Sequence, residues 1–301
     1  MKTYILVLFL FACSFSGFTQ GFIHKGIYRE YLIHVPANYT SSKPIALLIA
    51  LHGGFGSGVS MEKFSNFNSI SDRDTFIVVY PSGFQKHWND GRNVNLYETQ
   101  SKNLDDVGFI EALIDSLSTH YKIDQKRIYA TGASNGGMMS YRLALELSTK
   151  IAAIAPVIAN IPSNLADKKP VRPMPVLIIN GTADPLMPYE GGDVKFRNKS
   201  IGKVLSSKQT FDLFSSFNNC SNDIKTTSLT DSAPEDGCTA TVYTHLNCQE
   251  DHSVILYCIQ NGGHSWPGGS QYLPKTVIGN VCKDFNASEV IWSFLRKYKL
   301  P

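Results

Sequence analysis

Arg127-Ile-Tyr-Ala-Thr-Gly-Ala-Ser-Asn-Gly-Gly-Met-Met-Ser140 is the stretch whose reading decides the fold. Ile128 to Thr131 is a short apolar run of strand type, Ser134 stands between Gly132 and Gly136, and a helix-forming segment follows. A Gly-x-Ser-x-Gly turn between a strand and a helix puts the serine in strained backbone, so the residues two positions away must have almost no side chain. The turn lifts the hydroxyl out of the sheet to a helix start. There the unpaired backbone N–H of Asn135 can face a developing negative charge. Taken alone, the pattern also fits a glycine-rich helix cap.

The surrounding sequence supplies the sheet that such a turn requires. Ile45 to Leu51 is continuously apolar, as in a strand buried on both faces of a largely parallel sheet, and Phe76 to Tyr80 is a second such run stopped by Pro81. Ile27 to Val35 alternates as an edge strand would, and residues 152–157, 176–179, 240–243 and 254–259 read as further strands. Helices are expected over 61–70, from Asp105–Asp106 onward with an apolar stripe from Val107 to Tyr121, after Ser134 through Leu147, and over 205–217. A last helix is expected to open on the capping pair Asn286 and Glu289. Asp105 and Asp106 are read as helix-capping carboxylates. Residues 82–102 are polar and irregular, a length of loop that marks a functional rim or an insert. Strands alternating with helices predict an α/β protein with a mostly parallel, doubly wound sheet flanked by helices.

The chain has 301 residues, 43% of them hydrophobic and 18% charged, with a net charge of +3. This suits one globular domain, expected over 21–301, and argues against a nucleic-acid or anionic-membrane partner. Lys2, the apolar run Tyr4 to Ala12 and small residues at Ser14, Ser16 and Gly17 read as an export signal over 1–20, too short for a membrane span. Secretion or periplasmic export is therefore expected. Leu10-Phe-Ala-Cys13 also resembles a lipoprotein box, which leaves a lipid-anchored form as the alternative. In an oxidising compartment Cys220, Cys238, Cys248, Cys258 and Cys282 are disulfide candidates of undetermined pairing; their odd number leaves at least one free or paired outside the chain. His245-x-x-Cys248-x-x-x-His252 has metal-like spacing, but a polar, turn-rich stretch makes it incidental, and no metal is expected.

A serine nucleophile needs a base to take its proton and an acid to fix that base's tautomer, in the chain order serine, acid, histidine. Asp184 follows the strand at 176–179 and His264 follows the strand at 254–259, so both should reach the carboxyl edge of the sheet beside Ser134. Asp193, Asp223 and Asp251 compete as acid, and His245 and His252 as base, but none follows a core strand so directly. His52-Gly53-Gly54 follows the strand at 45–51, where a second oxyanion donor belongs. The N–H of Gly54 is the expected donor, Phe55 is its neighbouring alternative, and His52 is expected to brace the loop.

Leu51-His-Gly-Gly54, Trp88-Asn-Asp-Gly-Arg92, Asp105-Asp-Val-Gly-Phe109, Gly132-Ala-Ser-Asn-Gly-Gly137, Gly181-Thr-Ala-Asp-Pro185 and Gly263-His-Ser-Trp-Pro-Gly268 resemble the secreted α/β-hydrolase esterases that include polyhydroxybutyrate depolymerase-like and feruloyl esterase-like proteins. Pro188-Tyr-Glu-Gly-Gly192 and Phe217-Asn-Asn-Cys220 fit as well, so the likeness spans almost the whole chain after the signal. It implies an α/β-hydrolase fold, Ser134 as nucleophile, Asp184 as acid, His264 as base, a Cys220–Cys248 bridge and Trp88 at the substrate cleft. The position of Gly54 is often cysteine in polymer-degrading relatives, which counts against the polyester reading. The expected activity is ester hydrolysis through an acyl-enzyme without a cofactor, on feruloyl or acetyl esters of plant polysaccharide, with polyhydroxyalkanoate polyester as the alternative. Trp88, Trp266 and Phe55 could offer flat apolar surface to an aromatic acyl group or a sugar, or could equally be rim packing. Two rivals are a peptidase of the same fold, for which no gating domain is seen, and a non-catalytic carbohydrate-binding protein.

Overall fold

The computed structural model describes residues 19–196 and 199–301. The expected export signal lies outside the described residues apart from its last two positions, and Gln20 already belongs to the first strand. The strands are β1 (Gln20–His24), β2 (Ile27–His34), β3 (Ile45–Leu51), β4 (Ile77–Pro81), β5 (Ile123–Ala133), β6 (Ala153–Val157) and β7 (Val176–Gly181). They continue with β8 (Gly192–Phe196), β9 (Lys199–Val204), β10 (Ile224–Ser228), β11 (Thr239–His245) and β12 (Val254–Gln260). Ten of them form one sheet in the order β1-β2-β4-β3-β5-β6-β7-β12-β11-β10, and β8 and β9 form a separate hairpin. The six central strands from β4 to β12 pair in parallel, and the pairs at both margins are antiparallel.

The central parallel strands follow from their composition. Every residue of β3, β4, β6 and β7 is buried, because helices cover both faces. Alternation along β3 splits the core in two, with Leu47 and Ile49 on one face and Leu48 and Ala50 on the other. The first face packs against α4 (Asp106–His120), α5 (Asn135–Glu146) and α6 (Ser207–Phe217) through Phe109, Leu113, Met138, Tyr141, Phe211 and Phe214. The second packs against α1 (Gly58–Ser65), α2 (Phe67–Asp74) and α8 (Ala287–Leu295) through Met61, Phe67, Ile70, Ile291 and Trp292. Two short helices, α3 (Glu98–Ser101) and α7 (Lys275–Ile278), lie in loops. This is the α/β-hydrolase architecture.

Several expectations are corrected in detail. The single helix expected over 61–70 is two helices, because Asn66 turns left-handed (φ 51°) and serves both as C-cap of α1 and N-cap of α2. Asp105 does cap α4, accepting from the N–H of Gly108 at 3.0 Å, but Asp106 does not. Its buried carboxylate instead pairs with the equally buried Arg29 at 2.6 Å and accepts from the N–H of Asn89. Burial raises the Asp106 pKa, a cost that Arg29 and the Asn89 N–H partly offset. The strands β1, β9 and β10 carry too little apolar pattern to be read from sequence, and β8 carries only the short alternation of Val194 with Phe196. A disulfide joins Cys220 to Cys248, so one donor of the 245–252 metal-like spacing is already bonded to sulfur. Among the described residues no helix is long and apolar enough to cross a membrane.

Candidate active site

Three loops meet at the carboxyl edge of the parallel strands. After β5 the chain makes the expected sharp turn, with Ser134 at φ 54°, ψ −116°, a conformation that a non-glycine residue holds only when its surroundings enforce it. The enforcement is visible. The Ser134 N–H donates to the carbonyl of Val157 at 3.0 Å, and its carbonyl accepts from Met138 at 2.8 Å inside α5. A Cβ at Gly136 would stand 2.3 Å from the carbonyl oxygen of Leu51, and one at Gly132 would stand 2.5 Å from the backbone of Gly136. Glycine is thus required at Gly136 by the approach of β3 and at Gly132 chiefly by the approach of α5.

After β7, the Asp184 carboxylate turns back on its own loop. Oδ1 accepts from the N–H groups of Leu186 (2.8 Å) and Met187 (2.7 Å), which leaves Oδ2 for the ring of His264. His264, on the loop after β12, donates through Nδ1 to Oδ2 at 2.7 Å, both side chains being almost fully buried. An acceptor-only carboxylate at Nδ1 fixes the tautomer with the lone pair on Nε2. The His264 backbone is tethered in turn. Its N–H donates to the carbonyl of Ile278, and its carbonyl accepts from the hydroxyl of Tyr272 at 3.0 Å. The pKa of Tyr272 is pushed up to about 12, first by burial and then by the charge of Asp184, which keeps its hydroxyl a proton donor. His264 and Ser134 line one cavity of 340 Å³ together with Gly54, Phe55 and Asn135.

The third loop is β3 into α1. The His52 ring is buried and spans the loop, Nδ1 bonding to the carbonyl of Gly53 at 2.7 Å and Nε2 accepting from the N–H of Gly83 at 2.9 Å. Burial holds its pKa down at about 4, so it is a neutral brace. The N–H of Phe55 donates to the carbonyl of Lys86 at 2.9 Å.

The competing acids and bases sit elsewhere. Asp193 on β8 accepts from Ser200, Asp223 from Ser221, His245 stacks on Phe211, and His252 stands beside Glu250. Asp251 falls in the turn before β12. None of Asp193, Asp223, His245 and His252 lines the cavity that holds Ser134.

The aromatic expectations divide. Phe55 is 55% exposed and lines the cavity. Trp88 and Trp266 are 0% and 2% exposed, so neither offers a surface to a ligand. Trp88 is a strut instead. Its backbone N–H donates to Asn135 Oδ1 (2.8 Å), and its indole N–H donates to the carbonyl of His52 (3.0 Å). Trp266 ties α8 to α1 through Ser288 and packs on Phe64 and Phe67. The Asn135 amide also donates to Asp90 Oδ2, and Asp90 is paired with buried Arg92 at 2.8 Å. The irregular 82–102 segment therefore serves as an internal buttress for Asn135. Sequence reading missed the other wall of the cavity, which Leu186, Met187 and the β8–β9 hairpin build through Val194, Phe196 and Ile201. The alternation of Val194 with Phe196 was the available signal.

No protein-family model matches the chain. An esterase-designated protein, NocK, from Nocardia uniformis subsp. tsuyamanensis is 29% identical over 276 residues, covering 89% of this chain and 79% of its own length. Feruloyl esterase B of Piromyces equi is 28% identical over 276 residues, and there the chain spans 91% of itself but only 46% of the relative. Acetyl xylan esterase from Aspergillus awamori superposes with a TM-score of 0.58 at 15% identity over 83% of this chain and 94% of that one, which shows a shared fold. The chain thus shares the α/β-hydrolase fold and is similar in sequence to proteins designated esterases.

Proposed function

We propose that the protein is an exported serine esterase that works through an acyl-enzyme, with Ser134 as nucleophile, His264 as base and Asp184 as the residue that orients it. The observation that carries this reading is the buried 2.7 Å contact of Asp184 with His264 Nδ1, on a cavity shared with a serine held in strained backbone. In the reaction, His264 Nε2 takes the Ser134 proton as the serine oxygen attacks the ester carbonyl. The N–H groups of Asn135 and Gly54 hold the oxyanion. His264 then protonates the leaving alcohol, and a water activated by the same nitrogen releases the acid. Losing one oxyanion donor costs about a hundredfold or more in rate.

The cleft supports an assignment of substrate ends. The 340 Å³ cavity, walled by Phe55, Met138, Leu186, Val194, Phe196 and Leu273, is apolar enough for an aromatic acyl group such as feruloyl. A second cavity of 450 Å³ shares Gly54, Phe55, His264 and Tyr272 with the first and adds Ser60, Lys63, Phe64 and Ser270, a mixture of polar groups and rings suited to a sugar alcohol. Feruloyl or acetyl esters of plant polysaccharide are the proposed substrates, and the Cys220–Cys248 bridge supports export. Purified enzyme is to be assayed on methyl ferulate, acetylated xylan, polyhydroxybutyrate and peptide anilides, beside Ser134→Ala. Near-full hydrolysis of a p-nitrophenyl ester by Ser134→Ala would overturn the mechanism, and polyester or anilide turnover above that of both methyl ferulate and acetylated xylan would overturn the substrate class.

A further inference from the structure

The Cys220–Cys248 disulfide leaves Cys238, Cys258 and Cys282 as thiols among the described residues. Two of these are neighbours across the fold. Cys238 stands just before β11, Cys282 lies on the strap that follows α7, and each is only 1% exposed. The Asp236 carboxylate bridges their backbones, Oδ1 accepting from the N–H of Cys238 and Oδ2 from the N–H of Lys283, both at 2.6 Å. Asp284 closes the other side, accepting from the N–H groups of Ser232 and Ala233 while its second oxygen faces the Cys282 sulfur at 3.8 Å. Each thiol acts on the other, pushing Cys238 up and Cys282 down, as befits two sulfurs buried side by side.

The strap has a task. The carbonyl of Ile278 accepts from the N–H of His264, and that of Asn280 accepts from the N–H of Gly263 and the hydroxyl of Ser265. The carbonyl of Cys282 accepts from the N–H of Gly268. The loop that carries His264 is therefore hung on residues 278–282.

We propose that Cys238 and Cys282 form a second disulfide in the exported protein, pinning the strap that holds the His264 loop to the start of β11. The proposal rests on the export reading above. Each thiol gives up a proton and the pair gives up two electrons. A glutathione-type or enzyme disulfide of the oxidising compartment accepts the electrons and leaves as two thiols, one S–S bond forming as another breaks. Because both sulfurs are buried, the exchange takes place during folding, before the strap closes. The bridge encloses β12 and His264 in a loop of about 45 residues, and closing a loop of that length stabilises chiefly by restricting the unfolded chain. Five cysteines are then accounted for as two bridges and one thiol, Cys258.

The test refolds the reduced full-length chain in a glutathione redox buffer, which frees the result from where the cell delivers the protein. It then alkylates in denaturant and maps peptides without reduction. The expected result is a linked Cys238–Cys282 peptide, with Cys258 as the labelled thiol. Cys238 and Cys282 both labelled, whatever the state of Cys220 and Cys248, would overturn the proposal. As a second measurement, Cys238→Ala/Cys282→Ala, which keeps the Cys220–Cys248 bridge, should melt roughly 5–10 °C below the oxidised protein. An unchanged melting temperature would also overturn it. Mapping the exported protein separately reports on the compartment, since an unlinked Cys220–Cys248 pair there would count against export alone.

Discussion

Lowering the pH should unfold this protein through His52 before the carboxylates are reached. In the native state Nε2 accepts the Gly83 N–H and Nδ1 contacts the Gly53 carbonyl, so the buried ring holds its pKa near 4 against an ordinary value of 6.5. The unfolded chain therefore binds a proton between those values and the native protein does not. Stability is whole above pH 6.5 and falls as pH drops toward 4. The difference of pKa values integrates to a loss of about 2 kcal/mol between pH 7 and pH 5, and about 3 kcal/mol once pH 4 is passed. Urea unfolding at pH 7, 6, 5 and 4.5 measures this, with His52→Gln as reference. Glutamine can still accept the Gly83 N–H through its amide oxygen but does not titrate. The variant should lose a constant amount of stability and show a pH slope shallower by about 2 kcal/mol over pH 7 to 5. Equal slopes in the two proteins would refute a neutral buried His52 and with it the account of how the Gly53–Gly54 turn is braced.

Other outcomes follow from the same geometry. Asp184→Asn should lower kcat about ten-thousandfold on a p-nitrophenyl ester, because its amide can present N–H to His264 Nδ1 and reverse the tautomer, with the fold retained by circular dichroism. Trp88→Ala should cost about 3–5 kcal/mol by chemical denaturation, as befits a buried strut; a change confined to KM would instead favour a cleft role. Phe55→Ala should do the reverse, raising KM for an aromatic ester about fivefold for roughly 1 kcal/mol of lost ring contact, with a melting temperature within about 2 °C of the parent. Gly136→Ala sets a Cβ 2.3 Å from the carbonyl of Leu51, so it should lower the melting temperature by about 6 °C or more or abolish soluble expression.

Much of this molecule is legible along the chain, because local sequence carried the physical constraint. Uninterrupted apolar runs such as Ile45–Leu51 and Val176–Ile179 have only one comfortable place, a strand covered on both sides, and their turn residues mark where each chain end emerges. Ser134, Asp184 and His264 could be singled out for the same reason, each being the polar residue delivered just past a buried strand. What sequence does not carry is which buried surface faces which. Trp88 and Trp266 look like cleft aromatics on paper, yet each is enclosed by segments far away in the chain, Trp88 by His52 and Asn135 and Trp266 by Phe64 and Ser288. Asp106 likewise looks like a capping carboxylate until β2 brings Arg29 against it. The far wall of the cavity, from the β8–β9 hairpin, has too short an alternation to declare itself and acquires meaning only where it folds over Phe55. Residue order determined which groups reach the edge of the sheet, since strand burial is a local property of side chains. Packing between distant segments decided which of their neighbours stay open to a ligand, since exposure depends on everything else the chain brings alongside.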